Sequence, residues 1–253
     1  MSPIGVIDWG IGGLDVVRKM RAAGAEQPVL YVSDAGAVPY GLQPDEALAR
    51  RVGALVRALA RRGCAHVLIG CNAASTILDH PAFEGGGARV DGVIRPGIEA
   101  TLAAGVREVV VLGGRRTVES GRYGAALRPH GLTVREVVAQ PLSALVERGV
   151  LSGPTLEATL AEILAPVREA TAIVSACTHY LAVSGALRAA LPRLETLIDP
   201  ARALVRRHVP VAGPGAQPDR YFTTGDPETS RRAAAAAFGV DAPFERAVGL
   251  LDP

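Results

Sequence analysis

Apolar residues fall along this chain in short, nearly unbroken runs separated by stretches of helical spacing. Runs at Ile4 to Asp8, Val29 to Ser33, His66 to Gly70, Glu108 to Leu112, Thr133 to Val138, Ala172 to Ala176, Thr196 to Asp199 and Tyr221 to Thr224 predict strands. Strands buried on both faces have this character, and their alternation with helices predicts a parallel α/β architecture. The clearest helix is expected from Asp45 to Arg62, with Leu48, Val52, Leu55, Val56 and Leu59 on one stripe and Gly63 as the stop. Another follows Ser152-Gly153-Pro154, with Leu156, Leu160, Ile163, Leu164 and Val167 on one face. Both read as scaffold, and Gly85-Gly86-Gly87 reads as a surface loop.

At 253 residues the chain has the length for two small domains, each with its own core. Pro96-Gly97 fits a chain leaving the first domain, and a second crossing near Asp199-Pro200 sends the C-terminal segment back to complete it. The expected domains are therefore residues 1–97 plus 200–253, and residues 98–199. In open parallel sheets the ligand crevice lies beyond the carboxyl ends of the strands, where Asp8, Asp34, Cys71 and Cys177 all fall. Sites from both domains then face one cleft.

Composition narrows the classes of partner. The net charge is only +2, and arginines such as Arg50, Arg51, Arg57, Arg61 and Arg62 are scattered through helical stretches, which predicts no nucleic-acid partner. The first residues, Met1-Ser2-Pro3-Ile4, carry no basic segment, and no apolar run approaches the ~18 residues that span a bilayer. The expectation is a cytoplasmic protein with no membrane partner. Three cysteines without close pairs or zinc-type spacing predict free thiols, with neither disulfide nor metal. Cys64 reads as a core filler.

Cys71 and Cys177 are different. Each closes an apolar run, Val67-Leu68-Ile69-Gly70-Cys71 and Ala172-Ile173-Val174-Ser175-Ala176-Cys177, just before a helix-like stretch. A thiolate on one side of a carbon acid removes a proton while a thiol on the other side returns one, inverting the centre with no cofactor. Asp8 ends the first strand before the turn Trp9-Gly10-Ile11-Gly12-Gly13, a glycine-rich connection of the sort that brings backbone amides to an anion. It lacks the GxGxxG spacing of a dinucleotide site. Asp8 also fits a helix N-cap. Pro39-Tyr40-Gly41 reads as a turn offering a phenol to a carboxylate, and Thr117 as the cap of a helix.

In order, these segments resemble the cofactor-independent glutamate racemases within the aspartate/glutamate racemase family. The likeness runs through Ile4-Gly5-Val6-Ile7-Asp8, Gly12-Gly13-Leu14, Pro39-Tyr40-Gly41, Cys71-Asn72, Thr117-Val118, Leu145-Val146-Glu147, Cys177-Thr178-His179-Tyr180, Ile198-Asp199 and Thr223-Thr224-Gly225-Asp226-Pro227. The resemblance implies two pseudo-symmetric parallel-sheet α/β domains, an active site in the cleft between them, an amino-acid substrate, no cofactor and a homodimer. It further implies that Cys71 and Cys177 exchange protons with opposite faces of the substrate. Asp8 then assists Cys71, and His179 with Glu147 assists Cys177. Tyr40, the Gly41 backbone, Asn72 and Thr178 hold the substrate. Because a charge on Asp8 disfavours a thiolate beside it, Asp8 acts by accepting a proton or by fixing geometry. His179 is also open to reading as a core residue bonded to backbone.

Two substrate-binding positions depart from the family. Trp9 stands where a serine usually follows the aspartate, and Ala73 where a threonine usually follows Cys-Asn. Hydrogen bonds to charged groups are worth about 1.5 to 3 kcal/mol each, so both positions bear on the choice of substrate. The indole narrows the cleft, offers an aromatic face to a cationic or apolar substrate group, or turns into the domain interface. Alternatives are a same-fold enzyme with another substrate, namely a decarboxylase, a cis–trans isomerase or a hydantoin-type racemase, and a non-catalytic binding protein.

Overall fold

The computed structural model describes residues 2–208 and 218–248. Residues 209–217 and 249–253, which the expected first domain includes, lie outside the described residues. Among the described residues ten strands form two sheets: β1 (Ile4–Asp8), β2 (Val29–Ser33), β3 (His66–Ile69), β4 (Arg89–Gly92), β5 (Glu108–Gly113), β6 (Thr133–Val138), β7 (Ala172–Ala176), β8 (Thr196–Ile198), β9 (Arg220–Thr223) and β10 (Phe244–Arg246). The first sheet has the order β10-β9-β2-β1-β3-β4 and the second β6-β5-β7-β8. Every pairing is parallel. All eight expected strands are present, to within a residue or two at their ends. The two that sequence pattern missed, β4 and β10, are short edge strands whose polar residues, Arg89 and Asp91 or Glu245 and Arg246, hide the apolar signal.

The two sheets share one topology. Stripped of β9 and β10, the first reads β2-β1-β3-β4 and the second β6-β5-β7-β8, the same path with strand numbers raised by four. In each, the chain goes out to one side of its first strand and returns to the other, which opens a crevice at the carboxyl ends of β1 and β3, and of β5 and β7. The strands qualify as interior ones: every residue of β1, β2 and β7 is buried.

The helix Asp45–Arg61 lays Leu48, Val52, Leu55, Val56 and Leu59 on the first sheet, each fully buried. Removing such side chains from water contributes about 1.5–3 kcal/mol apiece. The helix Pro154–Leu164 buries Leu156, Leu160 and Leu164 in the same manner. The chain passes between sheets through the helix Ile94–Ala103, with Pro96 and Gly97 in its first turns rather than in an open linker. Proline is tolerated there because the first amides of a helix have no carbonyl partner to lose. The return path begins with the helix Pro200–His208, which packs against that crossing helix. One apolar cluster joins Leu14 and Val17 of the first unit to Leu142, Leu145, Val146 and Tyr180 of the second. The halves are thus welded along one side, and the strand ends face each other across the other. Among the described residues no helix is long and apolar enough to cross a membrane.

Candidate active site

Cys71 follows β3 and Cys177 follows β7, equivalent places in the two sheets. Each has extended backbone and stands immediately before a short helical segment, Asn72–Ser75 or Thr178–Val183. Both line a cavity of about 340 Å³ between the sheets, together with Asp8, Trp9, Tyr40, Gly41, Asn72, Ala73, Glu147, Thr178 and His179. All eleven residues singled out from sequence are therefore brought to one cavity. A larger cavity of about 880 Å³, lined by Arg18, Lys19, Arg188 and Asp199 among others, holds neither thiol nor imidazole. The chemistry belongs to the smaller one.

The two sulfurs have unlike surroundings. Cys71 is buried against Asp8; burial first, then the Asp8 charge, pushes its thiol well above the ordinary range, against the pull of the Ala74 amide. Burial likewise raises Asp8, although its carboxylate accepts from the Trp9 N–H at 2.7 Å and from the Thr178 hydroxyl at 2.8 Å. Burial thus disfavours a charge on both Cys71 and Asp8. Asp8 does not cap the following helix, Leu14–Ala22, whose N-cap is Gly13.

Cys177 is half-buried, and its sulfur lies 3.7 Å from His179 Nδ1. The other ring nitrogen of His179 is 2.6 Å from Glu147 Oε1. Burial works against a charge on His179, but its contacts with Cys177 and Glu147 prevail and raise it well above 6.5. Glu147 is correspondingly lowered: burial is the largest single influence and opposes its charge, but the bond and charge of His179 together with the Ile11 amide outweigh it. The result is an imidazole held between a carboxylate and a sulfur, with its protonated form favoured. His179 is a member of this relay, not a core histidine bonded to backbone.

These two shifts have opposite signs and bound one pH window. The raised His179 contributes stability that is complete below 6.5 and is lost as pH climbs through its folded-state value. The depressed Glu147 contributes stability present above 4.5 and lost as pH falls through its own. Glu147→Gln is expected to remove the upper limb, so that His179 loses its proton at lower pH than in the parent protein. Titration of the His179 ring by NMR checks this; an unchanged midpoint would mean that the Cys177 contact alone holds the proton.

The glycine-rich turn does hold an anion, and that anion is the protein's own Glu147. The Ile11 amide donates to Glu147 Oε1 at 2.9 Å. A Cβ on Gly10 would sit 1.8 Å from that oxygen, and one on Gly12 would sit 2.4 Å from the Thr178 hydroxyl and 2.7 Å from His179 Nδ1. These glycines let the second half close onto the first.

Several single side chains acquire definite partners. The Tyr40 hydroxyl donates to the Asp34 carboxylate at 2.8 Å in a network with Arg51 and Thr224, while Tyr40 also lines the cavity. Thr117 is not a cap: Gly114 precedes its helix, and Thr117 lines the cavity. Trp9 lines the cavity, and its indole N–H is taken up by the Ala37 carbonyl at 3.0 Å. Asn72 accepts at Oδ1 from Tyr123 at 2.9 Å, which fixes the amide and leaves its N–H₂ as the remaining donor.

Sequence reasoning missed Arg116, Gln140, Ser143 and Arg148, which also line the cavity. Arg116 reaches across the halves to the Tyr40 carbonyl at 2.8 Å, to Asp45 at 2.5 Å and to the Gln43 carbonyl. Gln140 follows β6 directly, so the strand-end rule was the available signal for it. Cys64 meets expectation: burial pushes its thiol up to about 12, and it stays inert in the core.

Residues 4–208 match the Asp/Glu/Hydantoin racemase family. A glutamate racemase of Cupriavidus pinatubonensis is 32% identical over 257 residues, 96% of this chain and 94% of that protein. One of Deinococcus radiodurans is 34% identical over 240 residues, 89% of this chain and 82% of that protein. The crystal structure of glutamate racemase from Thermus thermophilus, in complex with β-chloro-D-alanine, superposes with a TM-score of 0.81 at 28% identity, covering 97% of this chain and 96% of that one.

Proposed function

The chain belongs to the Asp/Glu/Hydantoin racemase family, and from that premise we propose that it inverts the α-carbon of glutamate by proton transfer between Cys71 and Cys177. The observation that carries this reading is the pair of thiols at equivalent strand ends on opposite sheets, lining one cavity. In one direction Cys177, as thiolate beside the His179 imidazolium, takes the α-proton. The electron pair of the broken C–H bond passes into the adjacent carboxylate as an enediolate. The Cys71 thiol, protonated in its buried setting, gives its proton to the opposite face. Cys71 is left as thiolate and Cys177 as thiol, and exchange with solvent restores the starting state.

His179 and Glu147 tune Cys177, Asp8 holds the proton shared with Cys71, and Asn72, Thr178, the Gly41 backbone and the walls formed by Trp9, Tyr40 and Ala73 position the substrate. The two lobes are residues 1–97 with 200–253, and 98–199. Kinship adds a homodimer in the cytoplasm that supplies D-glutamate for peptidoglycan. A second reading, racemisation of an amino acid with a less polar side chain, is favoured by the indole ring of Trp9 and the methyl of Ala73 on the cavity wall.

Single enantiomers of glutamate, aspartate and aliphatic amino acids in deuterated water separate these readings. Glutamate is expected to lose optical rotation and gain α-deuterium faster than the others. Preference for an aliphatic substrate would favour the second reading, and no inversion of any amino acid would refute both. Trp9 is the chain's one tryptophan, so its fluorescence reports occupancy of the cavity in the same samples.

A further inference from the structure

Away from the thiols, His66 on β3, Asp91 on β4 and His208 at the end of the helix Pro200–His208 converge, with one potential ligand atom from each lying within 4.8 Å of the others. Strand register explains two of them: His66 pairs with Arg89 and Leu68 with Asp91, so His66 and Asp91 are diagonal neighbours on one sheet face. The helix brings the third. His66 Nε2 is 2.8 Å from Asp91 Oδ2, and His208 Nε2 is 3.5 Å from Asp91 Oδ1.

His208 Nε2 is buried and makes no hydrogen bond, on a side chain only 3% exposed. His66 and Asp91 are paired with each other, and the orphaned ring nitrogen of His208 is the group in this cluster left without a partner.

We propose that His66, Asp91 and His208 bind a divalent transition-metal ion, with zinc as the best fit, that ties the helix Pro200–His208 to the β3–β4 edge. Two imidazoles and a carboxylate, with solvent as fourth ligand, form a usual zinc set. Zinc bonds of about 2.0–2.1 Å put tetrahedral ligand atoms roughly 3.3 Å apart. The rings approach different oxygens of the Asp91 carboxylate, at 2.8 Å to Oδ2 and 3.5 Å to Oδ1, and one ligand atom from each residue lies within 4.8 Å of the others, so side-chain adjustment alone brings them onto a shared ion. Arg89 is the competitor: it donates to Asp91 Oδ2 at 2.8 Å and lies 3.1 Å from His208 Nδ1. Its side chain is 62% exposed and free to swing outward as Nδ1 takes a proton.

Titration calorimetry with zinc alone, on full-length protein carrying Cys71→Ser and Cys177→Ser so that the cavity thiols do not compete, is expected to show one ion per chain. His66→Gln and His208→Gln each weaken binding by at least about tenfold, and Arg89→Ala tightens it by removing a positive charge. At a hundredfold excess of zinc over Kd the folded-to-unfolded ratio rises about a hundredfold, read as a higher Tm. Zinc-edge X-ray absorption shows two imidazoles and no sulfur, and decides the matter if a histidine variant does not fold. Absence of saturable binding, unchanged affinity in both histidine variants, weaker binding in Arg89→Ala, or sulfur in the zinc shell overturns the proposal.

Discussion

Cys71→Ala and Cys177→Ala are each expected to lower kcat for inversion by about 10³-fold or more, with little change in fold. Positioned acids and bases contribute about 10²–10⁴-fold singly, and here the two act in series, so loss of either stops the transfer. The residual behaviour is the more diagnostic result. Without Cys71, Cys177 still takes a proton from one enantiomer, exchanges it with solvent and returns it to the same face. That variant is expected to wash deuterium into one enantiomer without inverting it, and Cys177→Ala to do the same with the other. NMR of the recovered amino acid distinguishes these patterns. Normal inversion in either variant would leave a one-thiol reaction as the better account.

Gly10→Ala is expected to lower activity by about 10²-fold and to destabilise the protein, although Gly10 bears no chemistry. Its backbone does not occupy the left-handed region, so an alanine there is conformationally acceptable. The damage is steric: the new Cβ would lie 1.8 Å from Glu147 Oε1, the atom that accepts from both Ile11 and His179. Displacing it forfeits two hydrogen bonds to a charged group, worth about 1.5–3 kcal/mol each, and releases the His179 imidazolium from its partner. Gly185→Ala is the control. Nothing lies within 4 Å of its added Cβ, and it sits in the helix Ser184–Ala190, where alanine stabilises by about 0.5–1 kcal/mol relative to glycine. Paired measurements of kcat and urea midpoint test this contrast; similar losses in both variants would show a general intolerance of alanine rather than a clash at Glu147.

Much of this arrangement was legible beforehand because it rests on local signals. Uninterrupted aliphatic runs marked the interior strands, and the rule that ligands gather at strand carboxyl ends drew Asp8, Cys71 and Cys177 together before any coordinates. The failures share a physical origin. Arg116, like the hydroxyl of Tyr40, is defined by a partner on a distant element, Asp45 in one case and Asp34 in the other. No spacing along the chain reveals such pairings. The glycines after Asp8 were recognised as making room, but what they make room for lies 136 residues away in Glu147. The His66, Asp91 and His208 cluster escaped for the same reason, since zinc spacing was sought only among neighbours in sequence.

Three bonds bridge the crevice, Thr178 to Asp8, Ile11 to Glu147 and Arg116 to the Tyr40 carbonyl, and the first two involve the carboxylates beside Cys71 and behind His179. On the proposed reaction, any parting of the lobes would break the Thr178–Asp8 and Ile11–Glu147 bonds together, so the acid–base groups around both thiols depend on one shared seam.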